Sequence, residues 1–141
     1  MKKLALLATL VLCGAMAHAQ QTPQTRSSQQ EPDFRPDTYA AIAYSESTGR
    51  IGFAWAFETR EKAEDRAIKE CNAGDARVIT WVRNGWCALA IGDNGAYGGE
   101  WGASEGEARR KAMNLATYTY GATNARIVCA CNSEKEEYYT R

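Results

Sequence analysis

Cysteine, one histidine and a few carboxylates carry the reactive chemistry of this 141-residue chain. The cysteines are Cys13, Cys71, Cys87, Cys129 and Cys131, and the histidine is His18. A four-thiolate zinc site normally presents paired Cys-x-x-Cys knuckles. Here Cys71 and Cys87 lie 16 positions apart and Cys129-Ala130-Cys131 is too tight, so the spacing argues against metal. The preferred reading is two disulfides among Cys71, Cys87, Cys129 and Cys131, with free thiols as the alternative. Four cysteines allow three pairings, and sequence does not choose among them. Cys129 and Cys131 share one face of a strand and cannot easily bridge each other. Each is therefore expected to seek Cys71 or Cys87. Asp93 and Glu100 are the carboxylates that an acid/base pair of the glycosidase kind would use. Turn chemistry accounts for Asp93 equally well. Asp93-Asn94-Gly95 lacks the later ligands of a calcium loop.

The first 19 residues have the layout of a secretory leader: Lys2 and Lys3, an apolar stretch from Leu4 to Leu12, and a small-x-small site at Ala17-His18-Ala19. No apolar run reaches the roughly 18 residues that a spanning helix needs. Leu12 before Cys13 argues against a lipid anchor. Cleavage after Ala19 leaves 122 residues, four cysteines, no histidine, and 15 Lys+Arg against 17 Asp+Glu. Ser-His-Asp and Cys-His catalysis both need an imidazole, so the processed chain is expected to use neither. The whole chain balances 17 Lys+Arg against 17 Asp+Glu. That excludes a broadly cationic nucleic-acid binder. The expected compartment is the periplasm or the space outside the cell, and an even cysteine count in a small exported chain favours disulfides.

Residues 20–37 hold all three prolines and many glutamines, and read as a disordered tether. Residues 134–141 read as a charged, solvated tail. Between them, residues 38–133 form one folded body, expected to be a tandem repeat. One copy runs Ala40–Arg83 and the other Cys87–Cys131. Each opens on an apolar run, Ala41–Tyr44 or Ala88–Ile91, and turns at Ser47-Thr48-Gly49 or Asp93-Asn94-Gly95. Each returns through a strand that ends near a tryptophan, Trp55 or Trp101. Thr59 and Ser104 are N-cap candidates, and Ser104 with Glu107 makes a capping box. Ala63, Ala67, Ile68 and Cys71 match Ala108, Ala112, Met113 and Ala116 at a constant offset of 45, on one helical face. A further strand follows each helix, Ala76–Val82 or Ala125–Cys131. Asn84-Gly85 is expected to make a two-residue hairpin between the copies. The expected fold is α+β: ββαβ used twice, an antiparallel sheet of about six strands packed by two helices.

The segments Ala41-Ile42-Ala43-Tyr44-Ser45, Gly49-Arg50-Ile51-Gly52-Phe53-Ala54-Trp55, Val82-Arg83-Asn84-Gly85-Trp86-Cys87-Ala88-Leu89-Ala90 and Trp101-Gly102-Ala103-Ser104 carry a family pattern. Over roughly Tyr39 to Asn132 the chain resembles the uncharacterised bacterial family Domain of Unknown Function 4189. The resemblance implies small exported proteins and no settled activity, and it supplies no catalytic residue. Members often carry a cysteine at the end of each helix. Cys71 fits that pattern and Ala116 departs from it, so the family's disulfide scheme is not carried over.

Aromatic residues are dense for so small a body. Core packing explains most of them, but Trp55, Trp86, Tyr97, Glu100 and Trp101 form the candidate binding surface. Gly92, Gly95, Gly98, Gly99 and Gly102 are expected to leave backbone uncovered beside Tyr97 and Trp101. The functional expectation is a non-enzymatic exported binding protein of the bacterial envelope that needs no cofactor and meets a protein or cell-wall component. Its sharper form is an inhibitor or immunity protein against a secreted toxin or lytic enzyme. The rivals are a wall hydrolase using carboxylates and a structural envelope accessory.

Overall fold

The computed structural model describes residues 35–134 and the backbone of residues 138–140. The secretory leader and most of the tether lie outside the described residues. The elements run β1 (Tyr39–Tyr44), β2 (Ile51–Phe57), α1 (Arg60–Cys71), β3 (Arg77–Arg83), β4 (Trp86–Ile91), β5 (Tyr97–Gly102), α2 (Glu105–Asn114), β6 (Arg126–Asn132) and β7 (Tyr138–Thr140). The fold is mixed α+β, with two antiparallel sheets and two helices.

The expectation of one sheet of about six strands is corrected. The strands divide into a sheet ordered β2-β1-β3 and a second ordered β5-β4-β6-β7. The reason lies in β1 and β4. Ala40–Tyr44 and Cys87–Ala90 are buried without alternation, which means burial on both faces. A single sheet with helices on one side would leave the other face of both strands in water. Stacking the sheets covers it. Ile42, Tyr44, Val82, Leu89, Val128 and Cys129 meet between the sheets. Ala41 and Ala43 face outward beneath α1, and Ala88, Ala90 and Ala130 beneath α2. The layers are therefore helix, sheet, sheet, helix. β1 packs on β4, β3 on β5 and β2 on β6.

Asn84-Gly85 does not close a β3–β4 hairpin either, because its two strands belong to different sheets. Asn84 takes a left-handed conformation at φ 51°. The crossover is held by the Thr38 and Asn84 amides, each donating to the other residue (2.9 Å), and by Gly85 and Ser133, whose amides also donate reciprocally (2.8 Å). The other two turns form hairpins as expected, with Gly49 at φ 70° and Gly95 at φ 80°. Both helix caps form. Thr59 Oγ1 accepts from Lys62 N and Ser104 Oγ from Glu107 N, each at 3.3 Å. Glu107 reaches back to the Ala103 amide at 3.0 Å.

The helices sit unusually close to their sheets, and the outward-facing residues permit it. A Cβ on Gly98 would lie 2.6 Å from the Ala116 amide, and one on Gly102 would lie 2.7 Å from the Ala108 amide. On β2, a Cβ at Gly52 would overlap the Ala67 carbonyl and the Cys71 amide. Gly99 faces the opposite way, against Ile79. The expectation that these glycines expose open backbone is thus corrected for Gly92, Gly98, Gly99 and Gly102, whose missing side chains make room for neighbouring groups, whereas Gly95 does face open space.

Beyond β6 the backbone of Tyr138–Thr140 pairs with Cys129–Cys131, within the segment that reads as a solvated tail. On β2 the register slips between the Tyr39 and Ala41 pairings. Ala56 there takes φ 59°, and its amide donates to the Ser133 carbonyl at 3.0 Å. This bulge bends the end of β2 toward β6.

Two outcomes test the packing. Gly98→Ala is expected to lower stability by about 2–3 kcal/mol, because the added methyl meets backbone that cannot yield. Ala56→Gly is expected to raise it by about 0.5–1 kcal/mol, relieving a left-handed alanine. Urea unfolding followed by tryptophan fluorescence measures both.

Candidate functional site

The helix offset of 45 does not persist along the second segment. Ala67 and Ala112 are 45 positions apart, whereas Ala76 and Ala125 are 49 apart, so four extra residues follow the second helix. The offset of 45 still holds at Ala116, which matches Cys71, and around it the structure prolongs α2 by a π-helical turn, Leu115–Thr119. Gly121 then reverses the chain at φ 68°. π-turns widen a helix locally and often mark functional positions. This one carries Tyr118 and leads into Tyr120, which are 84% and 58% exposed.

Trp101, 55% exposed, stands beside this turn. A shallow face joins Glu100 and Trp101 of β5 to Lys111, Asn114 and Tyr118. The Lys111 ammonium lies 5.0 Å from the Trp101 ring centroid and 2.8 Å from Glu107. On its other side Trp101 borders a groove with Tyr39 and Trp81, and Arg60 covers the Trp81 ring at 4.2 Å.

The opposite flank of the π-turn forms one wall of a cleft of about 620 Å³, a size typical of small-molecule sites. Ile79 and Leu115 are among its apolar lining, and Glu46, Arg77, Asn94, Tyr97 and Tyr120 supply the polar groups. The Tyr97 ring packs edge-on against Tyr44 at 5.0 Å. Its hydroxyl donates to Glu46 Oε1 at 2.7 Å and accepts from Arg77, which also pairs with Glu46. Burial, reinforced by Glu46, pushes the Tyr97 phenol above its ordinary value, so it remains protonated at neutral pH.

Two carboxylate clasps pin the loops at this end of the molecule. In the first, Asp75 accepts from the Ser45 hydroxyl at 2.5 Å and the Ser47 amide at 3.0 Å. These hydrogen bonds hold its carboxyl down at about 2. In the second, Asp93 accepts from Asn124 at 3.0 Å and pairs with Arg126 at 2.8 Å, and these contacts also lower its pKa. Asn94 completes that clasp, donating to the Gly121 carbonyl at 2.9 Å and accepting from the Thr123 amide at 3.2 Å. The hairpin turns are thereby tied to the loops that follow the helices. Asp93 is occupied in this way rather than poised to exchange a proton.

The five candidate surface residues separate. Glu100 and Trp101 lie together on the shallow face. Tyr97 lines the cleft across β5. Trp86 is half-buried against the alanine cluster beneath α2. Trp55 stacks on Phe53 at 5.7 Å, along a depression on β2, the opposite edge of its sheet from β3. Sequence reasoning missed Glu46, Arg77, Tyr118 and Tyr120. The change of offset from 45 to 49 was the available signal for the two tyrosines.

All four described cysteines are buried thiols. Cys87 and Cys131 are direct partners across β4 and β6, with sulfurs 3.1 Å apart. Cys129 lies on the same inner face, opposite Leu89. Cys71 lies in the layer between α1 and the first sheet, its thiol donating to the Arg50 carbonyl at 3.2 Å. The structure therefore joins one pair and keeps Cys71 apart from the strand cysteines. Among the described residues, no group of three or more His, Cys, Asp or Glu gathers around a metal-sized space. No helix there is long and apolar enough to cross a membrane.

The clasp gives a pH signature. Asp75 has an ordinary value of 3.8 and about 2 in the folded chain. Its contribution is fully present above about pH 4 and is lost as pH falls toward 2. Asp75→Asn is expected to flatten the stability profile in that interval. Urea midpoints at pH 5, 4, 3 and 2 check this, and parallel wild-type and variant profiles would refute it.

Protein Rv1269c and Protein MT1307 of Mycobacterium tuberculosis, and Protein Mb1300c of Mycobacterium bovis, are each 35% identical to the chain over 77 residues. The match covers 55% of this chain and 60% of each relative, so the chain spans less than two thirds of the curated relatives' length. No solved structure matches. Residues 39–131, from the start of β1 to the last cysteine of β6, match the domain of unknown function DUF4189, and the chain belongs to that family.

Proposed function

We propose that the protein is a non-enzymatic exported binding protein of the bacterial envelope, acting by contact through the face built on the π-turn. One observation carries this reading. The π-turn, where the correspondence between the two halves breaks, places Tyr118 in solvent beside Trp101 and leaves Tyr120 exposed on its other flank. Exposed aromatics are costly in a small soluble domain, and clusters of tyrosine and tryptophan are the usual anchors of protein interfaces. Glu100 and Lys111 supply a charged rim. The matched order of strands and helices supports a tandem ββαβ unit, with the second copy elaborated for binding.

A protein partner fits a shallow aromatic face better than a small ligand does. The sharper form of the reading is an inhibitor or immunity protein directed at a secreted toxin or lytic enzyme. Processing after Ala19 would leave a chain without histidine. The hydrolase alternative loses Asp93 as a free carboxylate, since Arg126 and Asn124 occupy it.

The test compares the wild type with Trp101→Ala/Tyr118→Ala as tagged baits on envelope extract and on purified peptidoglycan. A protein partner retained by the wild type and weakened at least tenfold by the double variant is expected. Equal capture by both baits would remove this face from the function. Retention on peptidoglycan alone would make the partner a wall component.

A further inference from the structure

Cys87 and Cys131 hold the same position on adjacent antiparallel strands. They face each other across the β4–β6 ladder, and both side chains point between the sheets. Their sulfurs are 3.1 Å apart in a fully buried site. A disulfide needs about 2 Å between sulfurs and Cα atoms roughly 4.4–6.8 Å apart, a range that directly opposed strand residues meet. Among the described cysteines no other pairing has such an approach. Cys71 is separated from the strand thiols by the first sheet, since it packs with Ala41 and Ala43 on the outer side of β1 while they pack with Ile42 on the inner side. Cys129 is two residues along the same strand as Cys131 and is registered with Leu89.

We infer that the chain forms a single structural disulfide, Cys87–Cys131, and that Cys71 and Cys129 remain buried thiols. The two thiols lose two protons and two electrons to a disulfide-bearing oxidant, which is reduced to two thiols as the new S–S bond forms. The bridge closes a loop of 44 positions that contains β4, β5, α2 and β6. It thus ties together the half of the molecule that carries the π-turn. In the folded chain Cys87 and burial raise the Cys131 thiol well above its ordinary value. Both sulfurs are fully buried once the sheets have stacked, out of reach of an external disulfide, so oxidation belongs to folding rather than to the finished structure. Pairing follows from register alone, so it does not depend on the binding face or on the identity of any partner.

The full chain carrying Cys13→Ser is refolded with glutathione and glutathione disulfide. Its remaining thiols are alkylated under denaturing conditions and mapped by peptide mass spectrometry. The expected result is one cross-linked peptide joining Cys87 to Cys131, with Cys71 and Cys129 alkylated. Oxidation is expected to raise the thermal midpoint by on the order of 10 °C, as closing a loop of this length implies. That difference between oxidised and reduced protein disappears in Cys87→Ala and in Cys131→Ala and persists in Cys129→Ala. A cross-link through Cys71 or Cys129, or four alkylated thiols after oxidation, would overturn the assignment. The peptide map of the Cys13→Ser chain decides the question even where an alanine variant fails to fold.

Discussion

The architecture depends on one constraint: β1 and β4 are buried on both faces and carry very small residues on their outer sides. Ala41 and Ala43 lie beneath α1, and Ala88 and Ala90 beneath α2. Small side chains bring helix backbone against sheet backbone, and Gly52, Gly98 and Gly102 complete the approach on the neighbouring strands. Apolar area per residue is low in such an interface, so stability rests on close, void-free packing and dispersion contact. The larger residues, Ile42, Leu89 and Val128, are kept for the layer between the sheets. A chain with only about 100 described residues therefore supports four layers, where bulkier helix–sheet contacts would have demanded a thicker core.

That economy also determines where function has room to develop. Alanine and glycine layers tolerate little change, because any added atom meets backbone. Freedom remains at the loop ends, where the Asp75 and Asp93 clasps hold hairpin turns against the post-helix loops through part-buried and exposed hydrogen bonds and an exposed ion pair. The π-turn arises at this end. It lengthens α2 without disturbing Ala108, Ala112 or Ala116, which stay fully buried. Its exposed tyrosines thus add surface without altering the packed layers. The cleft on one flank and the Trp101 face on the other share this turn as a wall, so they are positioned by the same backbone.

Much of this organisation was legible in sequence. Cap residues, helix stripes and two of the three Gly-containing turns rest on interactions within a few positions of one another, and Thr59, Ser104, Gly49 and Gly95 behave as their local chemistry requires. The third turn did not. Asn84-Gly85 has the local signature of a hairpin, but Thr38 and Ser133, each more than 40 positions away, hold it as a crossover. Tyr97 was singled out for its aromatic ring, yet its partners Glu46 and Arg77 lie 51 and 20 positions away and have no sequence pattern linking them to it. Gly98, Gly99 and Gly102 were misread because glycine removes a side chain in the same way whether a ligand or a helix takes the space.

The linear order of residues determined the α+β class, the paired elements, the helix faces and the four extra residues after the second helix, since each is a matter of period, spacing or local hydrogen bonding. Tertiary structure decided that the strands stack as two sheets, that Cys87 rather than Cys71 meets Cys131, and that Trp55 and Trp101 lie far apart in the strand order. Those outcomes depend on which faces of β1 and β4 must be covered and by what. Burial on both faces is a property of the assembled layers, and no single strand can express it alone.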